Sequence, residues 1–435
     1  MPELEELNFF TDTNLVADPY PYMEAMRQGC PVRREPHQNV MVVTGYDEAV
    51  AVFGDAETFS SCTAVTGPFP GFPIQIEGAA DDVSDLIEQY REQLPFSDQV
   101  TVMDPPKHTD HRALLMGLIT PKRLKANEDF MWAHADAALA PYLSAGGGDY
   151  IADFAQPFTL AIIADLLGVP EEDRAEFAAK MSHQGSGGGV GSTSSGTIGH
   201  SPLEYLYEKF SHYIADRRAN PRDDALTEMA NATFPDGSTP EVMDVVRIAA
   251  NLYTAGQETT VRLLSTALKI LADDPELQQL LRSEPSRIPN FIEETLRIES
   301  PVKGDFRLAR RATVVGGVEV PAGATVMVMN GAANRDPRQF ENPDTFDVDR
   351  SNARRHISFG RGPHSCPGAP LARAEAKVAL DRLLAATTEI RLSEDHHGVP
   401  GARRFNYVPT FILRGLTDLH LEVAVAEDAV AEDAS

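Results

Sequence analysis

Cys366 stands in Phe359-Gly360-Arg361-Gly362-Pro363-His364-Ser365-Cys366-Pro367-Gly368-Ala369, directly ahead of the helical run Pro370-Leu371-Ala372-Arg373-Ala374-Glu375. Free backbone amides and the macrodipole at a helix start favour thiolate over thiol, so this placement predicts a preorganised sulfur anion. Glycines at 360, 362 and 368 open backbone angles closed to other residues and let a flat ligand approach. A nucleophilic cysteine would suit the same helix start. It would also call for a histidine base, and it leaves three glycines in nine residues without a purpose.

A second constellation, Ala255-Gly256-Gln257-Glu258-Thr259-Thr260, lies in a pattern that runs without a breaker from Thr239-Pro240-Glu241 to Asp274-Pro275. A capping hydroxyl, proline at the first helical position and acid in the first turn mark the start. The length predicts a helix of roughly 50 Å, enough to cross a domain. Val245, Ile248, Leu252, Leu263 and Leu268 lie on nearly all sides, so its middle is expected to be buried. Glycine there costs about 1 kcal/mol relative to alanine, and a buried carboxylate costs more unless paired or protonated. Two readings stay open. Either Gly256 permits close helix packing with Glu258 in a structural ion pair, or the helix widens locally. In the second case the Thr259 hydroxyl and the Glu258 carboxylate pass protons to something bound against it.

The elements that must position these groups are mostly helical. Short helices are expected at Tyr20 to Gln28 and Asp47 to Phe53, with a strand at Val40 to Thr44. From Cys62 to Val102 runs a loop rich in Pro and Gly, too long for a mere connector and so a candidate pocket wall. The Gly- and Ser-rich segment from Ser182 to Ser201 reads as a mobile loop, either a lid or surface slack. A single domain over 1–424 with an acidic, disordered tail at 425–435 is expected.

The chain has 435 residues, with 38 Lys and Arg against 65 Asp and Glu, a net charge of −27. That balance argues against nucleic-acid binding. Three cysteines without a CxxC pair exclude a disulfide framework or a zinc site of that type. The acidic N-terminus and the lack of a long apolar stretch point to a soluble cytoplasmic protein without a membrane span.

Phe359, Gly362, His364, Cys366 and Gly368 resemble, position by position, the haem-ligand signature of the cytochrome P450 family, soluble bacterial type. The resemblance implies a mainly α fold with small β-sheets, haem b between the long central helix and the Cys-bearing loop, and Cys366 as axial thiolate. Ala255 to Thr260 resembles the family's oxygen-activation motif, with Glu258 where aspartate is commoner. That departure keeps the charge and lengthens the arm. Glu294 and Arg297 match the structural Glu-x-x-Arg. His108, Arg112, Arg307 and His356 fit places where such proteins bind haem propionates, which need charge-assisted partners. Ala255, Phe359 and Gly360 complete the expected haem contacts. The likeness covers about Asp18 to Val423 and includes Ala333-Asn334-Arg335-Asp336-Pro337.

The implied reaction inserts one atom of dioxygen into a C–H bond, with Glu258 and Thr259 delivering protons. Since no Rossmann glycine motif occurs, electrons must come from a separate ferredoxin and reductase. Five arginines and no acid lie between Arg350 and Arg373; with Lys107, Arg112, Lys122, Arg123 and Lys125 they form an expected docking face for an acidic ferredoxin. The same positions imply a substrate pocket of Asn251, Thr254 and Ala255, of Val302 to Phe306 and Pro409 to Leu413, with Phe69, Phe72 and Phe411 as apolar walls. A small hydrophobic substrate, terpenoid, steroid-like or aromatic, is preferred for a monomeric enzyme. The alternative is a haem-binding sensor or sequestering protein without monooxygenation.

Overall fold

The computed structural model describes residues 6–182 and 201–426. The acidic 427–435 segment and residues 183–200, in which the lid was sought, lie outside them. Helices dominate, and the three sheets among the described residues are small. A five-stranded sheet has the order β1 (Val32–Arg34), β2 (Met41–Val43), β8 (Thr325–Val328), β5 (Asp305–Ala309), β3 (Phe59–Ser60). Three strands, β4 (Gly147–Asp149), β10 (His420–Val425) and β9 (Thr387–Leu392), form the second, while β6 (Thr313–Val315) and β7 (Val318–Val320) pair alone. The β2–β8 pair is parallel and the other pairs are antiparallel.

The largest apolar core gathers around the central helix, Val242–Asp273, and draws in Phe154, Phe158, Leu264, Leu268 and Leu380. This helix starts later than the capping pattern suggests: Glu241, not Thr239, is its N-cap, and Pro240 stays outside. The early helices form at Tyr20–Arg27 and Tyr46–Gly54, and the early strand at Met41–Val43. The expected domain boundary at 424 falls inside β10, where Val425 pairs with Thr387 and the Ala426 N–H reaches the Ala386 carbonyl.

Beneath the cysteine loop lies a knot of buried charge. Arg297 and Glu294, both fully buried on the helix Ile288–Ile298, form a two-pronged pair at 2.7 and 2.8 Å. Arg350 adds a third bond to Glu294 at 2.9 Å, and Arg297 also donates to the carbonyls of Asn334, Pro343 and Thr345. The expected Glu-x-x-Arg pair therefore holds the meander that leads into the cysteine loop. Asn334 continues the tie through Ser300 and Ser358.

Candidate active site

A cavity enclosing about 1330 Å³, its open mouth included, lies between the central helix and the cysteine loop. Asn251, Ala255, Gly256, Thr259 and Thr260 face it from one side; Phe359, Gly360, His364, Cys366 and Gly368 face it from the other. Two glycines set the loop's path. Gly360 and Gly362 have φ of +64° and +69°, and a Cβ at Gly362 would meet the Phe53 carbonyl oxygen at 2.2 Å. Gly368 differs from the expectation: its φ is −78°, open to any residue, and a Cβ there would lie 3.8 Å from the Cys366 sulfur. Its smallness keeps space beside the sulfur.

Cys366 is exposed because it faces the cavity, while its backbone N–H is held by the Phe359 carbonyl at 2.8 Å. Burial pushes the thiol up, and the Gly368 and Ala369 amides with Arg112 and Arg373 recover only part of that shift.

On the opposite wall, the central helix stays α-helical through residues 255–260, so the anticipated widening is absent. Instead the Thr259 and Thr260 hydroxyls donate to the carbonyls of Ala255 and Gly256 at 3.0 and 2.9 Å, a side-chain competition that loosens a helix without breaking it. Gly256 is not required by packing either, since a Cβ would meet Ile163 at an ordinary 3.7 Å. Glu258 is not buried. Its side chain is 53% exposed, does not line the cavity, and is paired with buried Arg262 one turn on.

The bases separate into two groups. His108 and His364 stack with ring centroids 3.8 Å apart, and both line the cavity. Burial, followed by the charge of Arg112, pushes His108 down to about 4; burial and His108 push His364 down to about 3. His108 Nδ1 and His364 Nε2 are buried without a hydrogen-bond partner among the described residues. Arg112 lines the same rim and donates to the Ser365 carbonyl at 2.5 Å. Arg307 is buried on β5 behind the rim, donating to the Phe306 carbonyl and lying over Phe53. His356 lies off the cavity lining, its Nε2 3.0 Å from Glu293 and its Nδ1 accepting from the Ser358 N–H. His364 stands at the rim, two residues before Cys366. That spacing was the available signal.

Other expected lining residues also move away. The Thr254 hydroxyl is spent on the carbonyls of Ala250 and Asn251. Phe69 and Phe411 pack with Phe10 in a separate aromatic group, and Phe72 lies against Tyr90. Val302 and Asp305 do reach the cavity, joined by Val100 and Thr101 at the end of the segment expected as one long loop, which in fact holds the helix Ser84–Tyr90. The docking face thins as well: Arg350 is buried on Glu294, Arg123 pairs with Glu228, Lys125 with Glu128 and Arg373 with Glu293. Lys107, Lys122, Arg354, Arg355 and Arg361 stay exposed.

A family model described as Cytochrome P450 matches residues 200–387. Cytochrome P450 144 of Mycobacterium tuberculosis is 33% identical over 430 residues, covering 96% of this chain and 92% of that protein. The chain belongs to the cytochrome P450 family. Another relative, the 6-deoxyerythronolide B hydroxylase of Saccharopolyspora erythraea, is 31% identical over 96% of this chain and 98% of that protein. The solved structure of Mycobacterium marinum cytochrome P450 CYP150A6, substrate-free, superposes with a TM-score of 0.91 at 50% identity, covering 98% of this chain and all of that one. As a cytochrome P450 the protein binds haem b and is a monooxygenase. The cavity fits that group. Two unpartnered buried imidazole nitrogens beside Arg112 suit a haem's carboxylates, and a free cysteine sulfur on the cavity wall suits a bound iron. Among the described residues, no helix of this P450 is long and apolar enough to cross a membrane.

Proposed function

We propose that the protein hydroxylates a compact, ring-bearing, largely apolar substrate, using electrons from a ferredoxin-type protein. The observation that carries this reading is the wall of the cavity. Leu115, Leu252, Leu263, Val100 and Val302 supply apolar surface, and Asn251 is a polar side chain placed to fix orientation. A relative named as a hydroxylase supports the reaction type. The exposed bases Arg355 and Arg361, in the segment leading into Cys366, together with Arg354 beside Glu293, give that segment a positive face on an acidic chain, suited to steering an acidic donor.

The bound haem supplies dioxygen activation with an electron-donating thiolate. Cys366 is the iron ligand, and the Gly368 and Ala369 amides steady its charge. His108, Arg112 and His364 take the carboxylates, with the Arg307 charge behind them. Asn251 and Ala255 meet the substrate. Glu258, half in water, collects protons, and the Thr259 hydroxyl passes them into the cavity once the Glu258–Arg262 pair opens. Titrating the ferric protein with cyclic terpenoids, steroids, small aromatics and linear fatty acids tests the substrate class. A low-to-high-spin shift with the cyclic compounds is expected, and one confined to fatty acids refutes the class. Cys366→Ser is expected to lose the thiolate absorption of the reduced carbon monoxide complex; retention refutes the ligand.

A further inference from the structure

Lys303 is 3% exposed, and among the described residues no carboxylate pairs with it. It sits between Pro301 and Val302 on one side and Asp305 on the other, all three on the cavity wall. Its Nζ donates to the Thr410 carbonyl at 2.6 Å, its backbone N–H to Ile412 at 2.6 Å, and its carbonyl accepts from Gly331 at 3.2 Å. Val302 bridges to Leu413, and the Arg414 N–H returns to the Pro301 carbonyl. One lysine thus fastens a cavity wall to the loop that follows Pro409.

The two charges nearest it are unfavourable to an ammonium. Arg262 approaches from the central helix and Arg414 from the loop, while their carboxylates, Glu258 and Glu299, are each taken by one of those guanidiniums. Asp305 is bound by Asn330, and from the N-terminal segment the Phe9 ring lies 6.0 Å from Nζ. Burial, then Arg414 and Arg262, push Lys303 down to about 7.

We infer that Lys303 is a positioning residue whose neutral amine holds the Pro301–Val302 wall against the Thr410–Leu413 loop, so that binding of a ring against this wall is linked to loss of its proton. This rests on the cavity being the substrate site. The packed wall binds fewer protons than a loosened one, in which the amine approaches the ordinary lysine range. The packed form therefore gains as pH rises above about 7.

The test uses the haem-loaded enzyme and two probes, imidazole, which needs only the iron, and 4-phenylimidazole, whose ring needs the wall. Comparing wild type with Lys303→Met at each pH cancels the probes' own protonation. The wild-type to variant ratio of 4-phenylimidazole affinities is expected to rise at least threefold from pH 7 to 9, with the imidazole ratio flat. Parallel pH profiles for 4-phenylimidazole in both proteins overturn the proposal. Imidazole binding without 4-phenylimidazole binding to either protein overturns the cavity reading instead. If Lys303→Met does not fold, ¹³Cε-lysine NMR of the wild type decides: one lysine titrating near neutrality supports the proposal, and all lysines titrating in the ordinary range overturn it.

Discussion

Glu293 and Glu294, under the cysteine loop, are as deeply buried as Glu375, on the helix Ala369–Ala386 where it packs against the central helix. The two regions treat the carboxylate in opposite ways. Glu293 receives His356 and Arg373, and Glu294 receives Arg297 and Arg350. Glu375 has one oxygen without a partner among the described residues. Burial raises both Glu293 and Glu375. The bonds from His356 and Arg373 then bring Glu293 down to about 2, whereas Thr260 recovers little for Glu375, which stays at about 8. The loop side is fixed by charge that must be complete, and the helix side by apolar packing that tolerates a neutral acid. Buried ion pairs stabilise less than their number suggests, yet removing one partner costs heavily because the other charge is stranded.

Arg297→Leu is the severest way to break this contrast. It leaves buried Glu294 with Arg350 as its one remaining charged partner and takes the donor from the Asn334 and Pro343 carbonyls, and is expected to cost about 3–5 kcal/mol in urea unfolding, with loss of haem retention. A cost under about 1 kcal/mol would mean that the loop side is held by packing after all.

Glu375→Gln should act in the other direction. The folded protein keeps a proton at about 8 that the unfolded chain releases near 4.5, so stability falls as pH rises through that window and is flat above it. The glutamine variant lacks this fall and is expected to be more stable than wild type by on the order of 2 kcal/mol at pH 8.5. Equal stability at pH 5 and at pH 8.5 relative to wild type would remove the distinction. Glu293 gives the opposite slope: its contribution is present above about 4.5 and disappears as pH falls toward 2, which an acid-unfolding titration reads.

Thr259→Ala sharpens the contrast with the smallest change in stability, within about 1 kcal/mol, because only a hydroxyl bond to the Ala255 carbonyl is lost. Electron consumption is nevertheless expected to yield several-fold more peroxide and less product. Unchanged coupling would assign the proton route to another group.

The sequence made the cysteine loop legible because its signals are local: glycines at positive φ, a helix start and a fixed spacing all lie within eleven residues. The Glu-x-x-Arg pair was equally readable, its partners being one helical turn apart. What depended on long-range packing was not. Glu258 was expected in the core, but the helix turns that face toward water, where Arg262 meets it. His356 and His364 lie in one short segment with no local difference in chemistry, and Glu293, 63 residues before His356, is what holds His356 off the cavity lining. Phe69 and Phe411 looked like pocket walls because both are aromatic and lie in loops. Phe10 claimed them for another cluster. Lys303, inside the Val302–Phe306 stretch expected at the pocket, and Glu375 were not singled out, since a lone charged residue gives no sign in the sequence of being desolvated.

The Glu293 carboxylate binds His356 on the way into the cysteine loop and Arg373 on the way out. Both ends of the segment are thus tied to one point, which makes it a closed ring of set circumference. Inserting or deleting even a single residue between them would pull one tie loose or turn the sulfur off its bearing. Such length changes should be rejected here.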